Sequence, residues 1–398
     1  MTDKSKEHKV KSAVPKPESQ EEPREEKKGR KLRAAVSIMI VLLVSAIAVQ
    51  VFRNGGTGLD LLRRWIYYGS GERVDTYTYD AAGNNRFALI GDGMAVLSGT
   101  ELRIIRGDGS VALSQAVNMQ YPALMTAGEF AVAYDVGGTT LWLVNAQGET
   151  LLRLEQDAAL PFIAASVNEA GYLAVTAEKN GCKGCVSVYG PDQTLMFAFN
   201  SVERFVIDAR VSKDGKTVTA VTLGQEDGSF VSRMVVYDLT RTDPRAGWGV
   251  QDGVVLAMDE LSGRTAVICD TKMAYGDADG TVYGEYDYGG NYLRGWSVGG
   301  GYVALQLNRY YAGSIGRIVT VDLNGNEKAA IDVNEEVIGI SAAGNYIAVL
   351  YAGRLVIYTP DLQEYARMED AHHAKDVLMC ADGSALVLAS EKATRFLP

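Results

Sequence analysis

One short sequence motif recurs eight times along this chain and restricts the possible fold more than any other feature. It is a glycine turn followed by alternating small and larger apolar residues, as in GEFAVAYD at 128–135. The eight glycines are Gly93, Gly128, Gly171, Gly215, Gly263, Gly301, Gly344 and Gly383. Their mean spacing is about 41 residues, which is the period of a β-propeller blade. The repeat therefore predicts an all-β chain.

Each repeat can be divided into four strands. In the second repeat these are residues 123–125, 130–134, 141–144 and 151–154. No amphipathic pattern of helical length intervenes, which excludes parallel α/β folds. We therefore predict a β-propeller of eight four-stranded antiparallel blades, or of seven if the divergent unit around 251–290 is not a full blade.

The last repeat ends before its fourth strand. It supplies strands at 377–379, 385–388 and 393–397, and the alternating run at 74–79 precedes the first repeat without a partner. Because an open ring would expose strand edges, we expect this run to complete the last blade. The predicted propeller then covers residues 74–398.

The sequence before the repeats suggests a membrane anchor. Residues 1–33 are polar and predict a disordered tail, which ends in the basic cluster Lys27, Lys28, Arg30, Lys31 and Arg33. Residues 34–52 hold no charge and as a helix would span roughly 28 Å, about the thickness of a bilayer core. Basic residues before this segment predict a cytoplasmic tail and an extracytoplasmic propeller on a single-pass cell-membrane protein.

Two alternatives stay open around this segment. Ala46-Ile47-Ala48 could serve as a cleavage site, although the apolar run is longer than that of a secretory signal. Residues 53–73 form a predicted linker with a short amphipathic helix at 59–68. That helix would lie on the outer membrane surface or cap the propeller.

The charge distribution excludes some partners. Residues 1–33 carry 11 basic and 7 acidic side chains, which leaves 28 basic and 42 acidic in 34–398, a net charge of −14. An ectodomain this acidic lacks the basic footprint of a nucleic-acid-binding protein. It would also be repelled by anionic polymers, although neutral glycans remain possible.

The repeats resemble WD40-like and quinoprotein-like propellers in architecture. The dipeptides Gly-His and Trp-Asp of WD40 repeats are missing, and four tryptophans cannot supply one docking tryptophan per blade. The whole layout resembles the domain-of-unknown-function family 5711, in which a basic tail, one membrane helix and a propeller-like ectodomain occur together. The resemblance implies a fold and an anchor, but no activity.

Few residues have the pattern of catalytic or metal-binding groups. The histidines are His8 and the adjacent pair His372-His373, which would point to opposite faces of a strand. We therefore expect no catalytic residues, metal or cofactor. The pair Cys182 and Cys185, in a hairpin loop, fits a local disulfide better than a redox pair or half a zinc site.

Three further motifs fit hairpin turns better than ligand sites. Arg106-Gly107-Asp108 has the sequence of adhesion ligands but lies where a tight turn is expected. The acidic segments at 277–280 and 322–326 resemble calcium loops without the glycine and acidic residue that such loops need.

Aromatic residues are concentrated between residues 275 and 311. From this segment we predict a binding surface formed by Tyr283, Tyr286, Tyr288, Tyr292 and Trp296, with Tyr286 and Tyr288 as a stacking platform. The leading hypothesis is a non-enzymatic scaffold or sensor for an extracytoplasmic protein partner. The alternatives are a module that binds cell-wall glycan through this surface and, third, an enzyme with its site at the central channel.

Overall fold

Thirty-two strands form eight four-stranded antiparallel sheets in the computed structural model, which describes residues 76–398. This confirms eight blades, and the divergent unit is a complete one. Blades 1 to 4 comprise β2 (Arg86–Ile90), β3 (Gly93–Leu97), β4 (Glu101–Ile105), β5 (Val111–Ala116); β6 (Pro122–Ala127), β7 (Phe130–Asp135), β8 (Thr140–Asn145), β9 (Thr150–Glu155); β10 (Phe162–Val167), β11 (Leu173–Ala177), β12 (Cys185–Tyr189), β13 (Leu195–Asn200); and β14 (Phe205–Val211), β15 (Thr217–Glu226), β16 (Ser229–Asp238), β17 (Pro244–Val250).

The other four blades continue this order. They comprise β18 (Val255–Leu261), β19 (Arg264–Cys269), β20 (Lys272–Gly276), β21 (Val282–Asp287); β22 (Tyr292–Val298), β23 (Tyr302–Asn308), β24 (Gly316–Asp322), β25 (Glu327–Val333); β26 (Val337–Ala343), β27 (Tyr346–Tyr351), β28 (Leu355–Tyr358), β29 (Glu364–Met368); and β30 (Asp376–Met379), β31 (Ala385–Leu388), β32 (Lys392–Phe396), β1 (Thr76–Thr78).

The closure predicted for the ring is confirmed. Strand β1 pairs with β32 in antiparallel register, Thr76 opposite Thr394 and Thr78 opposite Lys392, and so becomes the fourth strand of blade 8. Between them Tyr77 is fully buried, and its hydroxyl accepts a 2.8 Å hydrogen bond from Arg395. The two ends of the propeller are therefore held in one sheet.

The core is divided among the junctions between blades. Each of eight apolar clusters in the described part of the chain joins residues of two neighbouring blades, including blades 8 and 1. First strands of neighbouring blades contact one another around the centre, as β10 does with β14 and β30 with β2. Both faces of each sheet are thus covered, and the strand ends and connections remain to meet solvent.

The repeat glycines have two roles. Seven of them adopt a positive φ, between 53° and 103°, in the turn from first to second strand. In blade 1 the positive φ belongs to Gly91 instead, and Gly93 begins β3. A Cβ atom on Gly93 would lie 2.0 Å from the carbonyl oxygen of Ile105, so this glycine is needed for close strand packing.

The predicted tail, membrane helix and linker at 1–73 lie outside the described residues. Within 76–398, no helix is long and apolar enough to cross a bilayer.

Candidate functional site

The strand order gives the propeller two distinct faces. Because successive strands are antiparallel, the loops from second to third strand end on the same side as the loops from one blade to the next. We term this side the loop face. The other side carries the tight turns that follow each first and third strand, and we term it the turn face.

Exposed apolar side chains are concentrated on the loop face. Of the eighteen large apolar residues exposed in the described part of the chain, twelve lie in its loops or at the strand ends beside them. These are Tyr121, Val136, Val202, Phe205, Phe230, Val254, Leu256, Tyr292, Tyr310, Tyr311, Ile315 and Ile338. The six at the turn face are Val111, Leu195, Met196, Val282, Tyr283 and Leu397, which lie on outer strands or just beyond the end of a strand. Collected apolar surface of this kind is typical of a binding face.

Blade 4 extends the loop face with a long hairpin. Strands β15 and β16 have 10 residues each, more than any other strand in the described region. The side chain of Phe230, near its tip, is 67% exposed. Arg204 braces the hairpin from the preceding loop, with hydrogen bonds to Thr222 and Glu226. This anchoring holds an apolar tip away from the body of the blade.

Blade 6 contributes an aromatic cluster to the same face. The ring of Tyr292, at the start of β22, meets that of Tyr311 edge to face, with centroids 5.7 Å apart. Tyr310 lies beside Tyr311, and the guanidinium of Arg309 lies 6.0 Å from the Tyr310 ring centroid. Tyr311 is 75% exposed, so the cluster can contact a partner without rearrangement.

The first strands of blades 3 to 7 share a β-bulge near the loop face. In each, the ladder to the second strand shifts by one residue at the same place. The extra residues are Ile163, Ile207, Leu256, Arg294 and Ile338. A bulge changes the direction of a side chain, and here it places four apolar groups and one arginine around the centre of the face.

The third residue after each bulge shows where the repeat departs from its own pattern. In blades 3, 6 and 7 it is a serine that is hydrogen bonded to the backbone of the next first strand. Ser166 donates to the Ala209 carbonyl at 2.6 Å, and the serines of blades 6 and 7 accept from backbone amides. In blades 4 and 5 it is Arg210 and Asp259. Structural serines are thus replaced by charges on adjacent blades.

These charges form a small polar cluster near the axis. Arg210 pairs with Asp208 at 3.5 Å, and its Nη1 lies 2.8 Å from the sulfur of Met125 in blade 2. Burial raises the pKa of Asp208, and the nearby Arg210 opposes that rise. The cluster can stabilise packing between blades. No group of three or more His, Cys, Asp or Glu in 76–398 is arranged to hold a metal ion.

The five predicted site aromatics do not form one surface. Tyr283 is at the turn-face end of β21, where its hydroxyl donates to Asp277 at 2.8 Å. Tyr286 is half-buried and donates to Glu327 at 2.6 Å, and Trp296 packs partly buried in the core between blades 5 and 6. Tyr292 alone among them is on the loop face.

The predicted stacking platform of Tyr286 and Tyr288 is wrong. Tyr288 is only 2% exposed and belongs to the core between blades 5 and 6. The two side chains do lie on one side of their strand, with centroids 6.3 Å apart, but blade 6 covers that side. Burial raises the pKa of the Tyr288 hydroxyl, which agrees with its removal from water.

Cys182 lies in the predicted hairpin loop between β11 and β12 on the loop face, and Cys185 begins β12. All four cysteines of the chain are free thiols in the structure, so the predicted disulfide is not formed there. Burial raises the pKa of the Cys185 thiol, which makes it less reactive. Oxidation of this pair to a disulfide stays a prediction.

The remaining motifs are turns, as expected. Residues 106–110 join β4 to β5, and the Asp108 carboxylate accepts the Ser110 amide at 2.8 Å. The Asp277 and Asp322 carboxylates likewise accept amides of their own turns. These contacts account for the acidic residues without a ligand.

Sequence reasoning missed the basic and aromatic loop of blade 6 and the hairpin of blade 4 as site elements. The segment at 309–315, RYYAGSI, is a long connection between second and third strands, and its length was the available signal. The sequence did not indicate that Phe230 is exposed, because an apolar residue in a strand is normally predicted to be buried.

The closed ring of eight four-stranded blades, with its apolar loop face, defines the class: an eight-bladed β-propeller. The chain belongs to the family of unknown function DUF5711, whose model matches residues 66–396, and this confirms the resemblance seen in the sequence. No curated protein matches the chain.

Solved structures share the fold at low identity. The C-terminal WD40 domain of Sif2 is similar with a TM-score of 0.57 and 13% identity, covering 81% of this chain and 99% of that one. BamB from Moraxella catarrhalis has a TM-score of 0.52 and 14% identity, covering 81% and 98%. The dihydro-heme d1 dehydrogenase NirN has a TM-score of 0.50 and 13% identity, covering 73% and 67%. At these identities the likeness concerns the fold alone.

Proposed function

We propose that this protein is a membrane-anchored, extracytoplasmic interaction scaffold or sensor that binds a protein partner through the loop face and catalyses no reaction. One observation carries the proposal: two thirds of the exposed large apolar residues described lie on that face. A monomer that only had to stay soluble would have no reason to collect them there.

The composition of the face supports a protein partner. Tyrosine, phenylalanine and arginine are enriched in protein interfaces, and tyrosine and arginine are common among the residues that contribute most to binding. The loop face carries exposed residues of all three types, among them Phe205, Phe230 and Tyr311. The resemblance in fold to WD40 and BamB propellers is consistent with a scaffold.

Photo-crosslinking of the full-length chain in cells tests the scaffold. The photoreactive residue p-benzoylphenylalanine would replace Tyr121 or Tyr311 on the loop face, and Leu195 on the turn face as the matched exposed control. We expect protein adducts from the loop-face positions and few from Leu195. Adducts from Leu195 alone, or none at any position, would contradict the proposal.

A glycan-binding module is the second candidate, favoured by the exposed tyrosine rings at 292 and 311. The full-length chain in detergent would be sedimented with cell-wall sacculi stripped of protein. Pelleting that is lost in Tyr292→Ala with Tyr311→Ala would make this reading the leading one. Retention in the supernatant leaves the protein scaffold.

Membrane anchoring has its own test. The full chain should stay in the membrane pellet after carbonate extraction, and deletion of 34–52 should release it. A mature protein that begins after Ala48 would instead support a cleaved signal.

A further inference from the structure

Two arginines differ from all others in the described part of the chain. Of its sixteen arginines, fourteen have a guanidinium that is hydrogen bonded, paired with a carboxylate or close to one. The exceptions are Arg294 and Arg309. Both belong to blade 6 and lie at the loop face, where the tyrosine cluster is.

The backbone holds these two arginines beside the same pair of strands. Arg294 is the extra residue of the bulge in β22, and Arg309 directly follows β23, the strand that pairs with β22. The amide of Arg309 donates to the Ile315 carbonyl at 2.9 Å, and the Asn308 side chain donates to the Gly313 carbonyl at 2.7 Å. The loop that presents Arg309 and the tyrosines is therefore closed and braced.

The absence of a carboxylate partner for these two arginines is unusual because the domain is strongly acidic. Residues 76–398 contain 24 Lys and Arg against 39 Asp and Glu, a net charge of −15. Carboxylates are abundant, and nearly every other arginine has one nearby. Two guanidiniums without such a partner form a local basic site on an acidic domain, and it is complementary to a carboxylate-bearing ligand.

We infer that this site, the blade 6 patch, binds an extended acidic segment of the partner protein that also carries apolar side chains. The patch consists of Tyr292, Arg294, Arg309, Tyr310, Tyr311 and Ile315. Carboxylates of the segment pair with the two guanidiniums, which suit carboxylate geometry, and its apolar side chains pack on the tyrosine rings. The inference rests on the proposed scaffold function and names the chemistry of its partner.

A polyanion fits the patch less well than a peptide. Two arginines can neutralise only two of its charges, and the remainder of the domain would repel it. Ile315 in the patch and Ile338 beside it are 46% and 38% exposed, and such apolar side chains would not contribute to binding a phosphate polymer. They match a segment in which a few acids alternate with apolar residues.

Selection from a displayed library of random 12-residue peptides tests the inference on the full-length chain in detergent. Binders to the wild type would be depleted on the double variant Arg294→Gln, Arg309→Gln. We expect the survivors to carry at least two acidic residues together with apolar ones. Because each exposed ion pair is worth a few-fold in affinity, a synthetic survivor should bind the double variant about tenfold more weakly.

Arg241→Gln is the matched control, since this arginine lies in a turn on the opposite face, and it should leave affinity unchanged. Survivors without acidic residues, no survivors at all, or equal losses in the control would overturn the inference. If Tyr311 still crosslinks to a protein in that case, the proposed scaffold function is retained and only the inference of an acidic partner segment is rejected. Absence of adducts at Tyr121 and Tyr311 would remove the scaffold as well, and loss of sacculus binding on Tyr311→Ala would assign the patch to glycan.

Discussion

The closing strand offers the sharpest test of the fold, through the side chain of Tyr77. It is fully buried between blades 8 and 1, in one cluster with Met94, Ile105 and Leu386. Its hydroxyl also accepts a hydrogen bond from Arg395, itself buried. Tyr77→Ala therefore removes apolar contact and a hydrogen-bond acceptor from the only blade that joins both ends of the described chain.

The loss can be estimated from these contacts. Deleting a buried aromatic side chain costs about 4 kcal/mol through lost burial and the cavity that remains. Removing the acceptor of a charged donor adds about 1 kcal/mol, because Arg395 keeps its hydrogen bond to Ser384. For a domain of this size, a total of about 5 kcal/mol corresponds to a fall in Tm of about 7 °C.

Thermal unfolding of the full-length chain, followed by near-ultraviolet circular dichroism in one detergent, measures this fall. Tyr77→Phe keeps the ring and should lower Tm by only about 2 °C. Tyr311→Ala, at an exposed position, should leave it nearly unchanged. A Tyr77→Ala protein that melts within a degree of wild type would refute the view that β1 closes the ring.

Three other substitutions or measurements test separate features. Gly93→Ala should destabilise far more than Gly263→Ala, because an added Cβ meets a backbone oxygen at 2.0 Å in the first case and only a positive φ opposes it in the second; equal urea midpoints would contradict this. Arg233 hydrogen bonds lower the pKa of Glu226, so its contribution to the blade 4 hairpin is present above about pH 4.3 and is lost as pH falls through the lowered value. Glu226→Gln should therefore speed amide exchange in that hairpin at pH 7, with the difference vanishing in acid, and unchanged exchange at pH 7 would exclude the role. Alkylation of the denatured, unreduced protein should modify two of its four cysteines if the disulfide predicted for the blade 3 loop forms, and modification of all four would reject it.

Local sequence rules predicted the ring closure and a count of eight blades or seven. A glycine with positive φ is needed wherever a two-strand turn is tight, so Gly128, Gly171 and their equivalents mark each blade directly. The last repeat lacked a fourth strand, and the run at 74–79 was a strand without a partner. Together they predicted the pairing of β1 with β32 that the structure shows. Both inferences depend on spacing along the chain, which the sequence contains in full.

The solvent exposure of individual side chains could not be predicted from the sequence in the same way. Alternation tells which residues share a side of a strand, and it correctly placed Tyr286 and Tyr288 together. In a propeller, however, both sides of every sheet are covered by neighbouring blades, so that shared side is core. The alternation alone therefore could not distinguish a buried tyrosine from one that meets a ligand.

The sequence by itself thus determined the repeat, a count of eight or seven blades, the partner of β1 and the positions of the turns, because each follows from local backbone chemistry and spacing. Only the tertiary structure decided which loops share a face, that most exposed apolar residues lie on one of them, and that Arg294 and Arg309 meet no carboxylate there. Those properties depend on how eight sheets are arranged around one axis. Residues far apart in sequence become neighbours only after that arrangement is complete.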